Sequence, residues 1–262
     1  MTSFRVYRGW QYVLGAGMLL MVFCVNAVVQ LSQLTYLTEE YPPYNFTDGH
    51  QLQGVAVDLL VAASAQVDQP VLASQIQVLP WSRAYGHAQH ATNTVLFSTT
   101  RTAARESLFQ WVGPIASIRI VLIARKIDAI SLSGVEDMKA YRIGVIREDI
   151  GEALLQDLGL SDNLVDVGNA DSLAKMLERG RIQLWAYEES VARWFCKQSQ
   201  VNFNQFEVVY VLKEAELFYA LSPNVDTEVV QSLQQGIDQL KRIDAQTGLS
   251  PFDIIKQRYF DE

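Results

Sequence analysis

The residues with the clearest chemical potential lie in the stretch FSTTRTAARESLFQWVGPI, residues 97–115. Threonines surround Arg101 at its start, and Arg105 follows four residues later. One interpretation is a helix start with Thr102 as the N-cap. Cations are poor residues for a first helical turn, because they add to the positive end of the helix dipole. The other interpretation is a carboxylate pocket, because hydroxyls and guanidinium groups are the donors that a carboxylate needs.

The sequence gives little support for metal or nucleophilic chemistry. His87 and His90 are three residues apart on a predicted helix, but the sequence places no third ligand beside them, and solvated histidines are the default interpretation. The sequence motifs of dinucleotide sites, phosphate loops, zinc proteases and hydrolase elbows do not occur. We therefore expect no metal and no organic cofactor, and we assign no catalytic residue.

The composition is that of an ordinary globular protein. The chain has 262 residues, of which 49% are hydrophobic and 19% are charged. This length suits one large domain or two smaller ones. The formal net charge of -8 argues against nucleic acid and anionic lipid as partners, because both require a basic surface.

The N-terminal segment has the pattern of a secretory signal. Arg5 and Arg8 precede an apolar run over residues 12–23, and small residues follow at 25–27. This order predicts a signal peptide over residues 1–27 and a periplasmic protein. An uncleaved membrane anchor is the alternative, although the apolar run is short for a membrane span.

The two cysteines fit the same compartment. Lipoprotein attachment at Cys24 is disfavoured, because the bulky Phe23 stands where lipoprotein signals have a small residue. Removal of the signal would leave Cys196 as the single cysteine. We therefore expect no internal disulfide.

Beyond residue 33 the pattern alternates between short apolar strands and amphipathic helices. Strands are predicted over residues 34–38, 76–79, 94–97, 119–124, 142–146, 182–186, 208–212 and 218–221. Helices are predicted over residues 55–67, 81–90, 150–158, 172–179 and 226–245. Alternating strands and helices predict an α/β fold with largely parallel sheets.

A family resemblance rests on three motifs in order, the first of which is TEEYPPYNFTDGHQLQGVAVDLL, residues 38–60. This segment resembles the opening of the family 3 extracellular solute-binding proteins, the periplasmic receptors for amino acids and similar polar solutes that serve ABC importers. The family pattern is a strand, a Pro-Pro-aromatic turn, a Gly-containing hairpin and a Gly-x-x-x-Asp-Leu helix start. The matching residues here are Pro42, Pro43, Tyr44, Gly49, Gly54, Asp58 and Leu59.

The second and third motifs extend the resemblance over residues 34–260. TRTAAR, residues 100–105, leads to an aromatic and a proline at 111–114, and is similar to the family's Thr-x-Thr-Pro-Glu-Arg segment. LERGRI, residues 177–182, is a weaker match, a helix end that leads into a strand ending at the acidic Glu188.

The resemblance implies an α/β fold of two lobes, of the type II periplasmic binding protein class, with a ligand cleft between the lobes. The first lobe would comprise residues 34–116 and 219–262, and the second residues 120–214. Two crossing strands, near 116–119 and 215–218, would form the hinge.

In the first lobe, the resemblance implies four ligand-binding residues. Arg105 would bind a ligand carboxylate bidentately, and Thr100 and Ser98 would complete the shell around it. Tyr44 would cover the apolar or cationic part of the ligand. Each residue also has a structural alternative: Arg105 could be a surface arginine, and Tyr44 could be core packing. Trp81 would lie near the cleft, with core packing as its default.

In the second lobe, Glu188 would bind the ligand amino group, although Glu189 is an open alternative. Arg147 would clamp the carboxylate from the other side, or form a local ion pair. The sequence departs from the family in this lobe, because REDIG at residues 147–151 replaces a Gly-Thr-rich loop and Glu188 stands where many members have aspartate. A different small acid or a polyamine-like solute therefore stays open as the ligand.

The function implied is a monomeric periplasmic receptor for an amino acid or small organic acid, with a membrane permease as its partner and no enzymatic activity. Two alternatives stay open. The chain could be a ligand-sensing module for a membrane partner, or a dehydratase-like enzyme on the same fold with Glu188 as its base.

Overall fold

A computed structural model describes Thr2 and residues 30–260. Within these residues the chain forms ten strands, eight α-helices and six short 3-10 helices. The strands are β1 (Thr35–Thr38), β2 (Phe46–Asp48), β3 (Gln51–Gln53), β4 (Ile76–Val78), β5 (Thr94–Thr100), β6 (Gln110–Arg125), β7 (Ile143–Ile146), β8 (Leu164–Val167), β9 (Leu184–Glu188) and β10 (Phe206–Leu221). The helices are α1 (Val55–Gln66), α2 (Trp81–His90), α3 (Val135–Met138), α4 (Ile150–Asp157), α5 (Ala170–Glu178), α6 (Glu189–Gln198), α7 (Thr227–Leu240) and α8 (Pro251–Phe260).

Two long antiparallel strands connect the two ends of the main sheet, whose strand order is β4-β1-β5-β10-β6-β9-β7-β8. At one end, β1 runs parallel to β4 and β5; at the other, β7 runs parallel to β8 and β9. Between them, β6 and β10 each span 16 residues and pair with each other. We call the β4-β1-β5 end the first lobe and the β9-β7-β8 end the second lobe. The α/β fold predicted from the sequence is confirmed.

The strands β6 and β10 cross between the lobes where Ala116 pairs with Leu217 and Ile118 with Ala215. The pairing register shifts directly after this point, between Leu217 and Tyr219. We propose that the hinge lies here, at residues 116–119 and 215–218, with the lobe bounds expected from the sequence. A pair of strands shared by two lobes is a simple element about which lobes can rotate.

The first lobe is held together by close contact between α1 and α7. A Cβ atom at Gly236 on α7 would lie 2.2 Å from the carbonyl oxygen of Ala63 on α1, so only glycine fits at this helix crossing. On the other side of α1, the hydroxyl of buried Tyr219 donates to the carbonyl oxygen of Ala56 at 2.7 Å. These contacts fix α1, and with it the turn that precedes α1, relative to the hinge strand β10.

The second lobe packs its helices closely on the parallel strands. A Cβ atom at Gly144 on β7 would meet the side chains of Ile182 and Leu173 at 2.5 Å, so glycine permits this packing. Asn169 caps α5, because its side chain accepts from the Ser172 N–H at 3.0 Å. The loops after β7 and β9 are thereby held on the side that faces the first lobe.

Several elements differ from the sequence expectations. The two predicted strands at 208–212 and 218–221 are one continuous strand, β10, because the charged segment between them spans the crossing. The helix start at Thr102 does not form; the chain makes a 3-10 turn over Glu106–Leu108. The sequence pattern does not predict the helices α3, α6 and α8 or the strand β8.

The predicted signal peptide, residues 1–27, lies outside the described residues apart from Thr2. In the described part of the chain, no helix has both the length and the apolar character that crossing a membrane requires.

Candidate functional site

A cavity of about 920 Å³ lies between the two lobes. The first lobe contributes the residues after β1, the β2–β3 hairpin and the β4–α2 connection. The second lobe contributes the end of β7, the start of α5, Tyr187 and the outer part of α6, and Arg258 and Tyr259 of α8 close one side. This volume is in the range of small-molecule binding sites.

The six residues expected to bind ligand do not line this cavity. Five of them lie deeper in the cleft, where the lobes are in direct contact, and one lies on the surface. We refer to this deeper region as the inner cleft, and to the cavity with its walls as the outer cleft. The ligand contacts expected from the sequence therefore stay a prediction.

Tyr44 belongs to the inner cleft and is 1% exposed. The Pro-Pro turn is held against α1, because the Ala56 N–H donates to the carbonyl oxygen of Tyr44 at 2.8 Å. Gly54 makes this contact possible: its φ is 125°, and a Cβ atom there would lie 2.4 Å from the same oxygen. Burial, and then the neighbouring Glu188 carboxylate, raise the pKa of the Tyr44 hydroxyl. Tyr44 is therefore a packed component of the turn.

Ser98 and Thr100 are buried at the end of β5. Ser98 has a positive φ of 58°, and its hydroxyl donates to the side-chain oxygen of Asn45. The carbonyl oxygen of Thr100 accepts from Arg105 Nη1 at 3.3 Å. Both residues thus connect elements of the first lobe to each other.

Arg105 is 5% exposed and bridges the lobes. Its Nη2 donates to the carbonyl oxygen of Glu148 in the second lobe at 3.2 Å. Its guanidinium lies 5.4 Å from the Trp81 ring centroid and 4.8 Å from that of Tyr85. Of the two arginines that raised the question of a carboxylate pocket, Arg105 is the buried one. Arg101 forms a surface ion pair with Glu106.

The loop after β7 contributes a second contact between the lobes. Trp81 Nε1, at the start of α2, donates to the carbonyl oxygen of Glu148 at 2.8 Å. Two groups of the first lobe therefore donate to one carbonyl of the second lobe. Arg147 is the expected site residue that lies on the surface, where it pairs with Asp166 at 2.7 Å.

Glu188, at the end of β9, is 2% exposed. Its carboxylate accepts from the Val191 N–H at 2.7 Å and so caps α6. Burial raises the pKa of Glu188 to about 7, although backbone N–H groups oppose this effect. Its neighbour Glu189 pairs instead with Arg119 and Arg193, each at 2.8 Å. Glu188 is therefore the glutamate that faces the inner cleft.

Two further acidic residues lie at the inner cleft and were not predicted as site residues. Glu39 follows β1 and lines the cavity, and burial together with the nearby Asp149 and Glu40 raises its pKa well above the usual range. Asp149 follows β7 and is 6% exposed; burial raises its pKa. The sequence carried a usable signal for both, because each lies within three residues of the end of a parallel strand and such ends meet at one edge of a sheet.

Aromatic side chains dominate the outer cleft. The ring of Phe46, on the hairpin of the first lobe, lies 4.7 Å from that of Trp194 on α6 of the second lobe. Tyr259 meets Phe46 edge-on at 6.1 Å. Trp194 was missed together with α6, although its neighbours Val191 and Phe195 have the spacing of a buried helix face.

The remaining candidate groups lie outside this cleft. Cys196 is buried, and burial raises the pKa of its thiol to about 12, so it is unreactive near neutral pH. His87 and His90 lie on α2. Among the described residues, no group of three or more histidine, cysteine and acidic side chains has the arrangement of a metal site.

Comparison with known proteins identifies the fold. No protein-family model matches the sequence, and no curated protein matches it. Among solved structures, a histidine kinase sensor domain with similarity to periplasmic binding proteins matches with a TM-score of 0.75 at 18% identity, covering 88% of this chain and 97% of that one. This chain has the periplasmic-binding-protein fold.

Other structures with this fold are binding proteins for amino acids. The arginine-binding protein of T. maritima, as its P235GK mutant, matches with a TM-score of 0.72 at 18% identity, covering 87% of this chain and 95% of that one. The arginine-, lysine-, histidine-binding protein ArtJ of Geobacillus stearothermophilus matches with a TM-score of 0.70 at 15% identity, covering 87% and 95%. The predicted two-lobe architecture is confirmed.

Proposed function

We propose that this protein is a periplasmic receptor that binds a small polar solute between its two lobes and releases it unchanged. The observation that carries the proposal is the 920 Å³ cavity whose walls come from both lobes. A solute in this cavity contacts both lobes at once and therefore stabilises the closed form by its differential affinity. The size of the cavity and the solutes of similar folds favour amino acids, small organic acids and small amines.

A thermal-shift screen of these solute classes tests the proposal. A solute at about one hundred times its Kd adds about 2.7 kcal/mol to the free energy of unfolding, which corresponds to about 5–10 °C in Tm for a protein of this size. Mass spectrometry of the bound solute after prolonged incubation should return the same mass. Failure of every solute class to raise the Tm contradicts a receptor role.

A matched pair of variants locates the binding site. Gln198→Trp places a large side chain on the cavity wall at α6, and should reduce the Tm shift of any solute that binds there. Gln156→Trp makes the same change on the exposed face of α4, away from the cavity, and should leave the Tm shift unchanged. Equal effects of the two substitutions would place the solute elsewhere.

The absence of catalysis is part of the proposal. The dehydratase-like alternative needs Glu188 as a base within reach of a solute. Glu188 instead caps α6 and does not line the cavity. A general base has to lie within hydrogen-bond distance of the proton that it removes.

We propose delivery to an ABC importer as the cellular role, because several proteins with this fold are transporter receptors. A sensor module is the second candidate, favoured by the likeness to a histidine kinase sensor domain. N-terminal sequencing separates the two: a mature chain that starts near Val28 in the periplasm supports a released receptor. A chain retained in the membrane with residues 1–27 attached supports the sensor.

A further inference from the structure

The inner cleft contains a buried carboxylate of the protein, that of Asp149. Asp149 precedes α4, and the N–H groups of Ile150 and Gly151 at the positive end of this helix lower its pKa against the effect of burial. Its Oδ2 is buried and has no hydrogen-bond partner among the described residues. A second carboxylate at this helix end would meet a like charge in a poorly hydrated place.

The buried guanidinium is also committed to contacts within the protein. The two terminal nitrogens of Arg105 each donate to a backbone carbonyl, one in each lobe. Its ring contacts are with Trp81 and Tyr85, and it does not line the cavity. A solute carboxylate in the cavity therefore cannot bind bidentately to Arg105.

The outer cleft has the opposite character. Acidic side chains outnumber basic ones on its walls, with Glu39, Glu40, Asp48 and Asp171 against Lys197 and Arg258. The Arg258 guanidinium is also paired outside the cavity, with Asp58 at 3.0 Å. A cavity with this balance of charge attracts cations.

Aromatic rings complete a surface suited to a cation. Phe46, Trp81, Tyr187 and Trp194 all line the cavity, and they come from both lobes. The faces of aromatic rings attract ammonium and guanidinium groups through their quadrupole, and tryptophan does so most strongly. With the lobes in contact, these rings and the Glu39 carboxyl surround a solute in the cavity.

We propose that the solute is an organic cation bearing ammonium, amidinium or guanidinium groups and no carboxylate. This inference rests on the proposed receptor function and narrows its solute class. Glu39, whose carboxyl a bound cation would ionise, and the aromatic walls bind the cationic group. Asp149 does not line the cavity, but it lies close to Glu39 and disfavours amino acids by repelling their carboxylate from behind the cavity wall. Repulsion built against a related solute is a common source of specificity.

Pairs of solutes that differ only in the carboxylate test the inference. Agmatine is arginine without its carboxylate, and cadaverine is lysine without its carboxylate. Calorimetry on the full chain should give a Kd at least ten-fold lower for the amine of at least one pair. Equal or tighter binding of both amino acids overturns the inference and leaves the receptor function standing.

The screen of solute classes distinguishes failure of the cation inference from failure of the receptor function. Binding of an acid or a neutral solute, with no binding of agmatine, cadaverine or other amines, overturns the inference alone. No binding of any solute class overturns the receptor function, and the inference with it.

Variants of the acidic residues test the mechanism of selection. Glu39→Gln should weaken agmatine binding at least ten-fold, and Asp48→Asn, on the exposed hairpin, should weaken it by a smaller factor. Asp157→Asn removes a carboxylate at the exposed end of α4, away from the cavity, and should leave the Kd unchanged. An unchanged Kd in both Glu39→Gln and Asp48→Asn overturns the inference.

Asp149→Asn tests the exclusion of amino acids directly. This variant should narrow the ratio of the agmatine and arginine affinities, because it removes the charge that repels the arginine carboxylate. If the ratio is unchanged while the variant melts as a folded protein, Asp149 does not select against carboxylates, and the inference is overturned.

Discussion

The inner and outer parts of the cleft are built from different chemistry. In the inner cleft, Arg105 and Glu188 are nearly fully buried, and each makes hydrogen bonds to backbone groups of the protein. In the outer cleft, acidic and aromatic side chains face a cavity of about 920 Å³. The two parts meet at Glu39 and Trp81, which line the cavity and also adjoin the buried groups.

This contrast separates two roles, structural contact between the lobes and contact with a solute, which the motif at residues 97–115 does not distinguish. Hydroxyl side chains followed by an arginine are the groups expected in a pocket for a carboxylate. In this structure, however, the buried arginine joins the two lobes. The groups open to a solute include residues that the sequence analysis did not select as ligand contacts, such as Phe46 on the hairpin and Trp194 on α6. Substitutions in the inner cleft should therefore change stability first, and substitutions in the outer cleft should change binding first.

The largest expected effect is the loss of Arg105. Arg105→Ala removes a buried cation with two hydrogen bonds to carbonyls and leaves those carbonyls without a partner. The free energy of unfolding should fall by about 3 kcal/mol or more. Arg101→Ala is the control: it breaks an exposed ion pair with Glu106 and should cost less than about 1 kcal/mol.

Chemical denaturation of both variants measures this difference. If Arg105→Ala is as stable as Arg101→Ala but loses solute binding, then Arg105 acts on the solute, and the separation of roles proposed here is incorrect.

The second effect is a pH dependence that comes from Glu188. Its pKa is about 7 in the folded protein and ordinary, near 4.5, when unfolded. The folded state therefore binds this proton more tightly, so the stabilisation is fully present below pH 4.5 and is lost as the pH rises through 7. The loss should be about 3 kcal/mol across this window.

Urea denaturation between pH 4 and pH 8 measures this dependence. Glu188→Gln keeps an acceptor for the Val191 N–H and should remove the Glu188 part of the loss, so that it is more stable than the parent protein at pH 8. Glu39 and Asp149, whose pKa values are also raised, should keep their own contributions to the loss. Glu189→Gln, which breaks exposed ion pairs, should retain the parent's pH profile. If Glu188→Gln has the same dependence of stability on pH as the parent protein, then the Glu188 carboxyl titrates normally.

Much of the fold follows from the sequence, because most helices bury one face and several strands of the main sheet are buried on both faces. Both situations leave a recognisable hydrophobic pattern in the sequence. The strands β5, β7 and β9 are apolar runs, and α7 begins after Asp226, whose side chain accepts from the Glu228 N–H as an N-cap should. The final helix α8 was missed, although Ser250 and Asp253 form a capping box before it.

The rest of the fold and the site depends on contacts between distant segments. The sequence pattern predicts two strands in place of β10, because residues 213–216 are mostly charged and partly exposed at the crossing and have no hydrophobic pattern. The partners of Arg105 could not be predicted, because the Glu148 carbonyl is 43 residues away in the chain. Local patterns identified the buried cation but not its partner.

A smaller effect is expected in the outer cleft. Trp194→Ala removes a half-buried ring from the cavity wall and leaves the inner cleft intact. Agmatine affinity should fall by about 1–2 kcal/mol, the range for a cation over a partly desolvated aromatic face. Calorimetry checks the affinity, and the melting temperature should fall less than in Arg105→Ala. If Trp194→Ala binds agmatine with the affinity of the parent protein, the Trp194 ring does not contact the solute.

The smallest expected effect tests the contact where the two parts of the cleft meet. Trp81→Phe keeps an aromatic ring in place but removes the Nε1–H that donates to the Glu148 carbonyl across the lobes. The closed form should lose about 1 kcal/mol relative to the open form, because one hydrogen bond contributes about that much. Solute affinity should fall about five-fold, and the radius of gyration from small-angle X-ray scattering should rise.

Trp111→Phe is the matched control, because the Trp111 Nε1 donates at 3.2 Å to the Glu106 carbonyl within the first lobe. It loses an equivalent hydrogen bond without touching the second lobe, so affinity and radius should stay at the parent values. If the two variants behave alike, the contact between Trp81 and Glu148 does not hold the lobes together. The proposed division between a structural inner cleft and a solute-binding outer cleft is then incorrect at this residue.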